Sequence, residues 1–174
     1  AWAVALVLAA GRPLCGGEAP APATPAPAAP LVNLDLARGL EGWTTWSGST
    51  PHAYALDTAV GHAGRPSLRI DARDSTAGLM VMTAGRGLLE GQRYRLNVWW
   101  RTDGLSEGAQ TDARCIFRRE DGSWLTGVDL HPYRQQVEGE WVLRQYRVSP
   151  PKGTAETTFG IWVRNGTGTV WVSD

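Results

Sequence analysis

Tyr94-Arg95-Leu96-Asn97-Val98-Trp99-Trp100-Arg101 decides how this chain folds, because its side chains separate into two sets at the two-residue period of a β-strand. Tyr94, Leu96, Val98 and Trp100 form an apolar face to be buried, while Arg95, Asn97, Trp99 and Arg101 form a face to be turned outward. An outward indole stacks on the C–H face of a sugar ring, and Arg and Asn add directional hydrogen bonds, so the outer set reads as a sugar platform. The same pattern also fits an indole packed under a loop beside solvated arginines.

Working outward, everything from Leu31 on consists of short β-prone runs separated by Gly, Asp and Asn. The expected strands are Val32 to Leu36, Ala53 to Leu56, Ser67 to Asp71, Leu79 to Thr83, Tyr94 to Arg101, Ala113 to Arg118, Trp141 to Val148, Thr157 to Arg164 and Thr169 to Ser173. With no amphipathic run long enough for a good helix, this predicts an all-β, two-sheet antiparallel sandwich over residues 31–174. Asp121-Gly122 and Asn165-Gly166 tolerate positive φ and predict tight hairpins.

Residues 1–17 open with an apolar run, Ala1 to Ala10, too short to span a bilayer and expected to be part of a secretion signal or N-terminal anchor. Cys15 follows Leu14 rather than the small residue a lipidation signal wants, so simple export is preferred. Residues 18–30, rich in Pro and Ala, cannot bury a core and read as a semi-rigid linker. The chain is therefore expected in a secreted or cell-surface setting, tethered to a catalytic or surface domain. Its 17 basic and 17 acidic residues cancel, and no basic run is interleaved with aromatics, which argues against nucleic acid as a partner. The folded domain offers no transmembrane stretch. Nine tryptophans are a high count for so short a chain; some must serve the core, but Trp also favours recognition surfaces.

The order of landmarks resembles a known family. Leu31 to Leu36 followed by Gly39-Leu40-Glu41-Gly42-Trp43 is similar to the opening of carbohydrate-binding modules of families four, nine and twenty-two. Gly61 to Ile70, Gly91 to Leu96, Gly139-Glu140-Trp141 with Tyr146 and Pro150, and Gly168 to Asp174 match further motifs in sequence order. The resemblance implies a galactose-binding-like jelly roll and a non-catalytic module that binds an oligo- or polysaccharide. It also implies a structural calcium as the one cofactor to consider, with Asp35 and Asp174 as side-chain ligands and backbone carbonyls near Gly64. Ala37 and Ser173 stand where the family has acids, which weakens that expectation. The family's last strand runs on past the position of Asp174, so a C-terminal truncation is expected.

No glycine-flanked serine elbow, phosphate loop or zinc-binding His pair is present, and the acids mostly sit in turns, so no catalytic residue is assigned. Cys115 alternates with Ala113 and Phe117 and reads as a small buried thiol. Trp43, Tyr94, Trp141, Phe117 and Phe159 are expected in the core; Trp46, Trp124 and Tyr133 lie in polar surroundings that suit a binding surface. Trp162 and Arg164 repeat the indole-plus-arginine chemistry of Trp99 and Arg101, and would double the platform if both strands share a sheet. A structural or adhesive domain without glycan affinity, or an accessory fragment of a glycoside hydrolase, are the other classes this sequence allows.

Overall fold

A computed structural model describes residues 33, 35–45, 53–73, 79–85 and 88–173. The expectations for residues 1–30, Trp46 and Asp174 lie outside them. The described residues form strands β1 (Trp43–Thr45), β2 (Ala53–Asp57), β3 (Ser67–Ala72), β4 (Leu79–Gly85), β5 (Tyr94–Asp103) and β6 (Gln110–Arg118). They continue as β7 (Trp124–Leu130), β8 (Arg134–Glu138), β9 (Trp141–Val148), β10 (Glu156–Arg164) and β11 (Gly168–Ser173). A five-stranded antiparallel sheet, β1-β4-β10-β6-β7, faces a six-stranded one, β2-β3-β11-β5-β9-β8. Hairpins join β2 to β3, β6 to β7 and β8 to β9; every other connection changes sheet, which ties the layers together.

The alternation in β5 is realised as its sequence implies: Val98 and Trp100 are buried, Arg95 and Asn97 exposed. From this sheet Leu68, Ile70, Val170, Val172, Tyr146 and Val148 join Trp100, and Val81, Ala113, Cys115, Phe117, Phe159, Ile161 and Val163 meet them from the other. Branched and aromatic side chains suit such a pleated, two-layer interior. Arg144, on the inner side of β9, crosses the sandwich: its Nη1 donates to the Thr111 carbonyl of β6 at 2.8 Å, and its guanidinium lies 4.5 Å over the Trp100 ring. Burial pushes the Tyr146 hydroxyl up to about 12, against the opposing pull of this cation.

The structure differs from the expected strands at identifiable places. The described part of Val32 to Leu36 is a turn, with Asn33 and Leu36 at φ 58° and 54°. The cause is the Asn33 amide, which donates to the carbonyls of Gly39 and Glu41 and accepts from the Arg38 N–H, while the Trp43 indole donates to the Asn33 carbonyl. Asn165-Gly166 is not a hairpin but the crossing from β10 to β11 between sheets. Gly166 is required there by close approach, since a Cβ would lie 2.4 Å from that of Ala109. Asp121-Gly122 does close a hairpin, with the Ser123 N–H donating to the Asp121 carboxylate. β1, β7 and β8, all at sheet edges, were not among the expected strands: Trp43 to Thr45 is only three residues long, and Trp124 to Leu130 and Arg134 to Glu138 lack a clean apolar alternation.

Trp100→Ala is expected to cost roughly 3 to 5 kcal/mol in denaturant unfolding, as for other buried aromatics. Cys115 provides an independent reading: fully buried, with its thiol pushed up to about 12 by burial, it should resist alkylation in the parent and become reactive in step with unfolding.

Candidate functional site

Each sheet turns one face outward, and the two faces carry different chemistry. On the five-stranded sheet the alternation that sends Ala113, Cys115 and Phe117 inward sends Asp112, Arg114, Ile116 and Arg118 outward. β10 contributes Gly160 and Trp162, paired with Arg114 and Asp112 on one side and with Met82 and Met80 on the other. Together Met80, Met82, Arg114, Ile116, Arg118, Trp124 and Trp162 line a groove of about 170 Å³.

Two glycines shape this groove. A Cβ on Gly160 would lie 2.9 Å from Met80 Cγ and Sδ, so the absence of a side chain keeps the floor low. On Gly127 a Cβ would lie 2.9 Å from the Trp124 ring, which folds back over its own strand beside the Arg114 guanidinium. A register shift between Phe117 and Arg118 bends the sheet at the same end and re-aims Trp124. Arg119 fixes the backbone there by donating to the Trp124 carbonyl at 2.8 Å. Trp124 remains 49% exposed, whereas Trp162 is half-buried between the guanidiniums of Arg114 and Arg164, 4.9 and 5.7 Å from its ring.

Two of the three guanidiniums around the groove are paired with carboxylates, while Arg118 at its end donates to the Gly122 carbonyl. Arg114 pairs with Asp129 at 2.9 Å, and Arg164 with Asp112 at 3.1 Å and Asp129 at 3.8 Å. The result is a mixed wall of indole, thioether and paired polar groups, without an isolated charge at its centre. Such a surface offers stacking and directional hydrogen bonds to a neutral polar ligand.

The outer face of the six-stranded sheet is closed by its own side chains around Trp99, Trp141 and Trp171. The β2–β3 connection brings His62 over Trp99, ring centroids 3.7 Å apart and nearly parallel, with Trp141 edge-on to His62 at 5.7 Å. Trp141 is thus buried as expected, but on the outside of its sheet rather than between the layers. Trp171 donates its indole N–H to Asp57 at 2.9 Å and lies between the guanidiniums of Arg69 and Arg101. Arg101 is further held by Glu140 at 2.9 Å.

These positions separate the expected platform. Trp99 and Arg101 belong to the six-stranded sheet and Trp162 and Arg164 to the five-stranded one, so they do not form one groove. Trp99 is half-covered by His62, and Arg101 is engaged with Glu140 and Trp171. Trp162, Arg164 and Trp124 do come together on one face. Tyr133 is exposed on the other side under Arg147, and Arg95 and Asn97 lie on that side as well. Arg114, Ile116, Arg118, Met80, Met82 and Gly160 were not singled out from sequence; the complement of the inward Ala113, Cys115, Phe117 set would have named three of them. As for a metal, the Asp35 carboxylate accepts from the Ala37 N–H in its own turn, and no cluster of metal-ligating side chains occurs among the described residues.

No family model and no curated protein matches this sequence. Among solved structures, the fold is similar to the CBM22-2 xylan-binding domain of Paenibacillus barcinonensis Xyn10C, with TM-score 0.58 and 14% identity over 81% of this chain and 94% of that one. It is also similar to part of the CBM22-1–GH10 portion of Clostridium thermocellum xylanase Xyn10B, with TM-score 0.59 and 17% identity, covering 78% of this chain and 25% of that one. The enzymatically active domain of bacteriophage CBA120 tailspike protein 4 gives TM-score 0.62 and 14% identity, covering 81% of this chain but 20% of that one. At these identities the likeness establishes the fold: the β-sandwich of carbohydrate-binding modules.

The closed layer on the six-stranded sheet has a titration signature. The Trp171 hydrogen bond, with the Val60 and Ala59 amides, holds Asp57 below its ordinary pKa of 3.8. A carboxylate with a lowered folded pKa stabilises above its unfolded value, and the effect is lost as pH falls through the folded value. Asp57→Asn should therefore melt lower than the parent at neutral pH, and the gap should close on acidification below about pH 4. A gap that is constant with pH would show that the carboxylate charge is not what holds the layer.

Proposed function

We propose that the chain is a non-catalytic carbohydrate-binding module whose groove on the five-stranded sheet takes a short stretch of a neutral polysaccharide. The observation that carries this reading is the meeting of Trp124 and Trp162 over a floor lowered by Gly160, on a fold shared with xylan-binding domains. The exposed Trp124 ring supplies stacking, and Arg114, Arg118, Asp112 and Asp129 supply hydrogen bonds at the sides. A groove of about 170 Å³ is small beside the roughly 300–1,000 Å³ of drug-sized pockets, which suits an open surface for a chain rather than an enclosing site. Because Asp112 and Asp129 are both committed to guanidiniums, this reading assigns them to positioning rather than proton transfer.

The module would act outside the cytoplasm, tethered through its N-terminal linker to a catalytic or surface domain. The structural calcium on Asp35 and Asp174 is a separate proposal, since Asp174 lies outside the described residues. A melting temperature that rises in calcium over chelator supports it, and an unchanged one dismisses it.

Affinity electrophoresis in xylan, mixed-linkage glucan and mannan gels tests the groove. Trp124→Ala is expected to weaken retention by roughly thirtyfold in affinity, about 2 kcal/mol, with little change in melting temperature because the ring is already half exposed. Trp99→Ala should leave retention intact, being on the opposite sheet. Parent-like retention of a Trp124→Ala, Trp162→Ala double variant, or loss confined to Trp99→Ala, would remove the groove from consideration.

A further inference from the structure

The six-stranded sheet carries, where β5 begins, a concavity of about 440 Å³ lined by Arg93, Tyr94, Arg95, Arg147 and Ser149. Arg95 stands directly opposite Arg147 in the β5–β9 register, and Tyr94 opposite Val148, so extending the pairing sets Arg93 across from Ser149. Three corners of this quadrilateral are therefore guanidiniums and the fourth is a hydroxyl. Like charges directly opposite each other destabilise an antiparallel pair. Elsewhere in the fold Arg38, Arg69, Arg101, Arg114 and Arg164 each hold a carboxylate. Arg118, Arg119 and Arg144 instead donate to backbone carbonyls, whereas Arg93, Arg95 and Arg147 hold neither a carboxylate nor a carbonyl among the described residues.

The surroundings prepare these guanidiniums to bind. Arg147 is held 4.3 Å over the Tyr133 ring, which positions it without neutralising it. The next row along the sheet has two amides and a further guanidinium: Gln145 Nε2 donates to Asn97 Oδ1 at 3.0 Å, and Arg134 of β8 stands opposite Gln145. Lys152 is the only lysine in the chain, so its cationic chemistry is that of arginine, whose planar fork grips two oxygens of one oxyanion. With a net charge of zero the molecule as a whole exerts no pull on polyanions, and any such attraction must be local.

We propose that this arginine cluster is a second binding site, for sulfate or carboxylate groups carried on an acidic polysaccharide, on the sheet opposite the groove. Oxyanions would fill the space between Arg93, Arg95 and Arg147, and the amide row of Asn97 and Gln145 would meet the hydroxyls between them. A lipid surface would require apolar side chains around the charges, whereas the lining here is polar apart from the Tyr94 ring. The site is independent of the neutral-sugar reading, and a test can read the two separately.

Titration calorimetry of the whole chain with dextran sulfate, polygalacturonate, neutral dextran and inorganic sulfate, at low and high salt, supplies that test. The parent should bind at least one of the two acidic polymers, with affinity that falls as salt screens the arginines, and should not bind neutral dextran. Arg95→Gln with Arg147→Gln should weaken that binding at least tenfold, leave retention in neutral gels unchanged, and hold or raise the melting temperature by relieving the like-charge pair. Arg38→Gln, which removes one positive charge elsewhere, should bind as the parent does. Parent-like binding by the double variant, or an equal loss in Arg38→Gln, would overturn the site. So would a fall in the double variant's melting temperature, inorganic sulfate binding as tightly as the polymer, or tighter binding to phosphatidylglycerol vesicles or single-stranded DNA.

Discussion

Trp99 and Trp100 are neighbours in the chain but face opposite sides of their sheet, Trp100 the core and Trp99 the outside, and the rest of the structure is arranged around that separation. β5 lies inside its sheet, between β11 and β9, so the inward direction of Trp100 is fixed by pairing on both sides. Trp100 then anchors Arg144, which reaches across to β6 and joins the sheets through Thr111. Trp99 organises the outside instead, where His62 stacks on it and brings the β2–β3 connection down over the sheet. A slip of one residue would exchange these roles and leave a guanidinium-rich face in the core.

The two outer faces show how a chain with balanced charge can build chemically distinct surfaces. Around the groove Asp112 and Asp129 neutralise Arg114 and Arg164, so Trp162 works beside paired charges and, among the described residues, only Arg118 at the groove's end keeps an uncompensated one. On the far sheet the acids gather near Trp171 and Arg101, as Asp57, Asp71 and Glu140, while Arg93, Arg95 and Arg147 at the β5–β9 end hold no carboxylate among the described residues. Composition sums over both faces, and therefore shows neither the paired groove nor the bare cluster.

Where strands are central and flanked on both sides, the sequence was legible. β5, β9, β10 and β11 carry alternating or continuous apolar sets because both a partner sheet and neighbouring strands constrain them. The edges β7 and β8 were harder to see, since one side of each strand is open to solvent and selection for a buried face is relaxed. The Asn33 turn was hidden for a different reason: apolar residues around it suggest extension, while its side-chain amide satisfies three backbone groups and its own carbonyl accepts from the Trp43 indole. Asn165-Gly166 carries the turn chemistry expected of it, but a dipeptide cannot say whether the strand that follows joins the same sheet.

By itself the sequence determined the all-β class, the inward and outward sets of β5, the buried Cys115 and the place of Trp162 and Arg164 on one strand face, because these follow from the two-residue period of a single strand. Only the tertiary structure decided that Trp99 is covered by His62, that Trp162 meets Trp124 and the methionines instead of Trp99, and that Arg95 faces Arg147. Strand period is a local property of the backbone. Which strands become neighbours depends on crossings between sheets, and those are settled by the packing of residues far apart in the chain.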